Sequence, residues 1–236
     1  MTINILVDYD NLTKIDKSRG LLQLATRIIG KLETQETGGK SRAHLRLYGG
    51  WYHQGNSTRR AQDLVTDIQG NFPSVLPVPQ AGKNLIVSVE LAFSLFISPR
   101  EHLFNTFRIR GYPMDLNCDD PSNHGCIDSA CPVRHIHSFI TTGRCVGQTC
   151  SVGPSDILYR GEQKLVDTMI ATDLFYLSMI SSDPIAIVSS DEDFWPAIRY
   201  AIALGSSIIH IHAKPNRQTP MHYRRYVSST YKEIPA

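Results

Sequence analysis

Two apolar runs in this sequence end in clustered acids. Residues 2–7 lead into Asp8 and Asp10, and residues 184–190 lead into Asp191, Glu192 and Asp193. Ile3, Ile5 and Val7 alternate with Asn4 and Leu6, as in a short buried strand, and the second run has the same character. In an open doubly wound sheet, ligands bind beyond the C-terminal strand ends, at the point where strand order reverses. Neighbouring strands of this kind would crowd several carboxylates together. In a poorly solvated cleft that crowding is costly unless protons or divalent cations neutralise it. Oxygen-rich clusters suit Mg²⁺ or Mn²⁺, which activates water and stabilises a leaving oxygen in phosphodiester displacement. The plainer reading is helix capping, by Asp10 or Asn11 for the first helix and by Asp191 for a helix beginning near Glu192. Two strands that both end in paired acids favour the chemical reading.

The elements that must position these acids alternate between strand and helix. Residues 17–36 place Leu21, Leu24, Ile28 and Leu32 at helical spacing before Gly38 and Gly39. Residues 43–51 read as a second strand, and 57–69 as a helix capped by Ser57 or Thr58. Such alternation implies a Rossmann-like α/β fold, with a mainly parallel sheet flanked by helices. Within 74–110, residues 74–80 contain two prolines, while 87–96 and 106–110 fit either a strand pair or a helix followed by a strand. A helix is expected over 161–180, with Leu165, Met169 and Leu177 on its inner side. After it come the strand at 184–190, a helix from Glu192 to Gly205, a strand at 206–214 and a basic C-terminal segment.

At this level the chain resembles the NYN family of PIN-like metal-dependent ribonucleases. Its first strand ends in Asp8-Tyr9-Asp10-Asn11, matching the family's Asp-x-x-Asn. The later strand ends in Ser189-Ser190-Asp191-Glu192-Asp193-Phe194, matching Ser-Gly/Asn-Asp-x-Asp-Phe, and Lys164-Leu165-Val166-Asp167 matches Lys-x-x-Asp. The likeness covers about the first 50 residues and 161–213. Ser190 replaces a Gly or Asn, Asp10 is an added acid, and 111–160 have no counterpart. The resemblance implies that Asp8, Asp167, Asp191 and Asp193 hold Mg²⁺ or Mn²⁺ and that Asn11 orients the site or contacts substrate. The implied reaction is hydrolysis of RNA, with DNA also open. Asp173 lies six residues beyond Asp167, about 240° around a helix, so the two acids do not face one metal and Asp173 is expected at the surface or behind the ligands. Lys164, three residues before Asp167, is expected on the same helix face, against a phosphate or paired with the acid. Two other readings stay open. One is a haloacid-dehalogenase-like phosphatase using Asp8 and Asp10, against which Asn11-Leu12-Thr13 fits poorly. The other is a silent nucleic-acid-binding module.

From 111 to 160 the apolar period disappears, and Cys118, Cys126, Cys131, Cys145 and Cys150 gather with His124, His135 and His137. The segment reads as a Cys/His-rich insertion or long loop within a single domain of 236 residues. Cys126/Cys131 and Cys145/Cys150 are both Cys-x₄-Cys pairs, and structural Zn²⁺ and reduced thiols are both open. An odd number of cysteines argues against a full disulfide framework. The tail at 214–226 interleaves Lys214, Arg217, Arg224 and Arg225 with Tyr223 and Tyr226, suiting phosphate contact and base stacking or a solvated terminus. Arg59, Arg60 and Lys164 add to a basic surround. His210 and His212 alternate on a strand and read as packed or surface residues. A net charge of +2 names no partner by itself. The longest other apolar stretch, 85–97, is too short for a membrane helix and contains Glu90, and no secretory signal precedes Asp8, so a cytoplasmic protein is expected.

Overall fold

The structure is a computed structural model that describes residues 2–112, 116–145, 147, 149–225 and 229–236. The chain forms two compact units. One runs through Phe107 and resumes at Gln163, and the other is Arg108–Glu162.

The larger unit is built on a seven-stranded sheet. In chain order its elements are β1 (Thr2–Asp8), α1 (Lys14–Ser18), α2 (Leu21–Gly30), α3 (Thr34–Thr37), β2 (Arg42–Tyr48), β3 (Tyr52–His53), β4 (Asn56–Ser57), α4 (Arg59–Asn71), β5 (Ser74–Val78) and β6 (Lys83–Leu91). The strand β7 (Phe107–Arg110) opens the second unit, which continues through α5 (Pro132–Thr142), α6 (Pro154–Ile157) and β8 (Arg160–Gln163). The larger unit then resumes with α7 (Val166–Ile180), β9 (Ile185–Val188), α8 (Trp195–Ala203), β10 (Ile208–Ile211), α9 (Met221–Arg224) and β11 (Tyr231–Ile234).

Strand order is β11-β10-β9-β1-β2-β6-β5. Every pairing is parallel except β5 against β6. Residues 83–91 and 107–110 are both strands, so no helix forms over 87–96, but the two do not pair with each other; β6 pairs instead with β5, where Pro77 is tolerated on an edge strand. The chain works outward from β1 to β2 and β6, then returns to lay β9, β10 and β11 on the other side. Strand order therefore reverses between β1 and β9, where Val7 pairs with Val188. Side-chain alternation divides the core. Ile3, Ile5 and Val7 pack with Leu24 and Ile28 of α2 and Leu64 of α4 on one face. Leu6 packs with Leu174 of α7 and Ile198 of α8 on the other. Each such fully buried aliphatic side chain contributes about 1.5–3 kcal/mol.

Several expected boundaries move. The helix expected over 17–36 is broken into three, with Gly20 at φ +84° between α1 and α2, a conformation glycine adopts without a Cβ penalty. Thr58 caps α4, accepting from Ala61 N at 3.3 Å. The helix expected from 161 starts at Val166, and β8 occupies its first residues. In the second unit, α5 supplies a helix where sequence periodicity gave none. Glu162 there pairs with Arg108 and Arg110 at 3.0 and 2.7 Å. Among the described residues no helix is long and apolar enough to cross a membrane.

Candidate active site at the sheet reversal

Asp8 is the last residue of β1 and is only 2% exposed. Its carboxylate accepts from Ser189 Oγ at 2.9 Å and from Asn11 N at 3.3 Å. Ser189 follows β9, so the parallel register of the two strands creates this contact. The same hydroxyl accepts from Asp191 N at 3.1 Å and so holds the acidic turn against β1. Burial pushes the Asp8 carboxyl up to about 7. The hydrogen bonds from Ser189 and Asn11 oppose that rise, and the nearby charges of Asp167 and Asp10 add to it.

Asp167 stands in the first turn of α7, where the helix dipole favours a carboxylate. Its pKa is nevertheless raised, first by burial and then by the charges of Asp191, Asp193 and Asp10. Acids from β1, from the turn after β9 and from the start of α7 therefore feel one another. Two oxygens at this place, Asn11 Oδ1 and Asp167 Oδ1, are buried without a hydrogen-bond partner. An all-oxygen donor set with orphaned acceptors suits a hard divalent cation. Asp8, Asp10 and Asp191 are each held by local donors. Among the described residues no three His, Cys, Asp or Glu side chains form a ready ligand set.

Capping explains part of the pattern. Asp191 Oδ1 accepts from Asp193 N at 3.0 Å and caps the turn Glu192–Phe194. The cap of α1 is Thr13, which accepts from Asp16 N at 3.1 Å, and not Asp10 or Asn11. Asp10 is held elsewhere, by Gly50 N at 2.9 Å and Arg60 at 2.7 Å. Ser190 replaces the expected Gly or Asn and has its own work. Its hydroxyl accepts from the backbone N–H of both Ala213 and Lys214 at 2.9 Å, joining the turn after β9 to the one after β10.

Three basic residues flank the acids. Lys17 Nζ donates to the Asp10 carbonyl at 2.8 Å. Burial lowers its pKa, and the charges acting on it include those of Asp10, Arg60, Asp8 and Lys214. Sequence reading singled out Arg60 and Lys214 but missed Lys17, whose α1 helix buries no residue and so carries no apolar signal.

Other expected residues lie differently. Lys164 is exposed and precedes α7, so it does not share a helix face with Asp167. Between them Leu165, 41% exposed instead of packed inward, adopts φ +68°, a left-handed conformation that re-aims the chain into the helix. Asp173 points away from the other acids, as the helical offset requires, but it is fully buried and not at the surface. It accepts from Tyr48 Oη at 2.7 Å and Phe96 N at 2.8 Å, with Arg46 Nε at 3.5 Å. Arg224 pairs with Glu233 at 2.7 Å, whereas Arg225 is exposed. Tyr226 lies outside the described residues. His210 and His212 are packed, and burial pushes the His210 ring down to about 4, so it stays neutral.

In the second unit the cysteines form two thiol pairs. The Cys131 thiol is the largest influence on Cys126 and raises its pKa, while the N–H of Val133 lowers that of Cys131. The N–H of Gly147, followed by the Cys150 thiol, lowers that of Cys145. The four thiols expected to hold zinc are thus paired two by two and are not drawn into one ligand set among the described residues.

Compared with family models, with curated proteins and with solved structures, the chain finds no match.

Proposed function

We propose that this protein is a metal-dependent nuclease with a PIN-like (NYN-type) catalytic unit, cleaving phosphodiester bonds in RNA. The observation that carries the reading is the set of carboxylates brought from β1, β9 and α7 to the point where strand order reverses. A carboxyl is raised to about 7 there, chiefly by burial, with the charges of Asp167 and Asp10 adding to it. Asp8, Asp167, Asp191 and Asp193 would hold Mg²⁺ or Mn²⁺, with the Asn11 side-chain oxygen facing the same place. When bound, the cation activates water and stabilises the leaving oxygen. Ser189 orients Asp8 and the Asp191 turn together. Lys17, Arg60 and Lys214 offset the repulsion between these acids and a polyanion. The basic surround fits a nucleic acid, and the resemblance to the NYN family favours RNA over DNA.

A phosphatase using Asp8 and Asp10 as its working pair is disfavoured, because both Asp10 oxygens are engaged by Arg60 and Gly50 N. A silent binding module would have no use for buried, mutually repelling acids. The discriminating experiment offers the protein single- and double-stranded RNA and DNA and a generic phosphate monoester, with Mg²⁺, with Mn²⁺ and with chelator. Cation-dependent shortening of RNA supports the nuclease. Phosphate release from the monoester without cleavage of any polynucleotide overturns it.

A further inference from the structure

The second unit, Arg108–Glu162, is held by very little buried apolar surface. Among its described residues only Pro121 and Pro154 are buried. Helix α5 buries none of its side chains, and its Val133 and Ile136 are 54% and 57% exposed. A small unit with so little core usually depends on cross-links, covalent or through a metal. All five cysteines of the chain lie in it.

Four of them bracket α5. The Cys126 thiol is hydrogen-bonded to that of Cys131, the N-cap of the helix. The Cys145 thiol is hydrogen-bonded to that of Cys150, and Cys145 lies just beyond Gly143, the C-cap. In each pair one sulfur is set up to attack. Cys131 accepts the N–H of Val133 at the positive end of the helix dipole, and Cys145 accepts the N–H of Gly147, contacts that favour a thiolate. Cys126, Cys131 and Cys145 are partly exposed and Cys150 is exposed, so an oxidant reaches both pairs. The fifth thiol, Cys118, instead faces the Asp119 carbonyl at 3.8 Å.

We propose that the second unit is redox-responsive, a peroxide oxidising Cys126 with Cys131 and Cys145 with Cys150 to two local disulfides that staple the ends of α5 and leave Cys118 free. In each pair the attacking thiolate bonds to one peroxide oxygen, the O–O bond breaks, and the departing hydroxide takes a proton to become water. The neighbouring sulfur then displaces hydroxide from the sulfenic acid. That sulfur loses its own proton, and a second water forms with the S–S bond. Two electrons pass from each thiol pair to one peroxide. Each bridge closes a short ring beside a helix end and narrows the unfolded ensemble of a unit with little else to hold it. Zinc shared by all four thiols is the competing arrangement, and the two-by-two pairing favours bridges. The proposal is independent of the nuclease reading.

The test assays the full-length protein for zinc as purified, then reduces it in chelator, exposes it to hydrogen peroxide, alkylates the remaining thiols and digests it with trypsin. Residues 111–134 and 145–160 fall on separate tryptic peptides. The first should carry a single alkyl group, on Cys118, and the second none. Cys126→Ser should leave a sulfenic acid on Cys131 that dimedone traps, whereas Cys131→Ser should leave Cys126 reduced. Limited cleavage after Arg134, inside α5, should slow about tenfold on oxidation of the wild type. A disulfide joining the two peptides, or alkylation of all five thiols after peroxide, overturns the proposal. So does a tightly held zinc that shields all four thiols from alkylation in the protein as purified. Unchanged cleavage at Arg134 overturns the stapling of α5.

Discussion

Ser189 donates its hydroxyl to Asp8 at 2.9 Å across the β1–β9 boundary. The bond favours the ionised carboxylate against the burial that raises its pKa. Ser189→Ala should therefore push Asp8 above about 7. A hydrogen bond to a charged group contributes roughly 1.5–3 kcal/mol, so the acid limb of any cation-dependent cleavage should move up by about one to two pH units. A pH–rate profile checks this, and an unmoved limb contradicts the role given to Ser189.

Asp8 also sets the sign of a stability effect. Its folded pKa of about 7 lies above the ordinary 3.8, so the folded state keeps a proton that the unfolded state loses between those values. Stability from this group is complete below about pH 4, declines as pH rises to 7 and is flat beyond. Asp8→Asn should match wild type near pH 3–4 and be more stable above pH 7. At ~1.4 kcal/mol per pH unit, about 4 kcal/mol is the ceiling. Thermal melts across pH in chelator measure it, and a variant destabilised above pH 7 contradicts the argument.

The two acids of α7 should separate cleanly. Asp173 accepts from Tyr48 Oη and Phe96 N, while Arg46 keeps Glu90 and the Ser94 carbonyl without it, so Asp173→Ala strands two buried donors and should cost about 1–3 kcal/mol for each. Asp167→Asn removes a half-buried, repelled charge and should leave stability unchanged or improved while abolishing cleavage. Denaturant unfolding and activity assays on the pair decide. Equal destabilisation would contradict the assignment.

Lys17 is expected to contact phosphate. With Asp8→Asn to prevent turnover, Lys17→Ala should weaken RNA binding across sequences and reduce the salt slope by about one unit. Arg225→Ala should act in the same direction. Arg224→Ala should act through the loss of its pairing with Glu233. Affinities measured over a salt series test all three, and an unchanged slope in Lys17→Ala moves the phosphate path away from α1.

Much of the larger unit was legible in the sequence because its signals are local. Ile3, Ile5 and Val7 alternate, Leu24 and Ile28 repeat at helical spacing, and acids follow both central strands. What was not legible depended on single backbone angles or distant partners. Leu165 at φ +68° starts α7 five residues later than its apolar spacing suggests, and Gly20 at φ +84° divides what reads as one helix. Asp173 is buried because Arg46, Tyr48 and Phe96, far away in sequence, compensate it. Arg224 is spoken for by Glu233 on β11, a strand too short to show a pattern. Cys-x₄-Cys spacing brought each pair of thiols together but carried no information on whether the pairs meet.

The most direct test of the central claim is cleavage of a labelled single-stranded RNA with Mg²⁺ or Mn²⁺ by wild type, Asp8→Asn and Asp191→Asn, each shown folded by circular dichroism. Wild type should cut and stop cutting in chelator, and both variants should be inactive. Wild-type turnover in either variant, or cleavage that persists in chelator, would contradict the assignment of these acids as the catalytic centre.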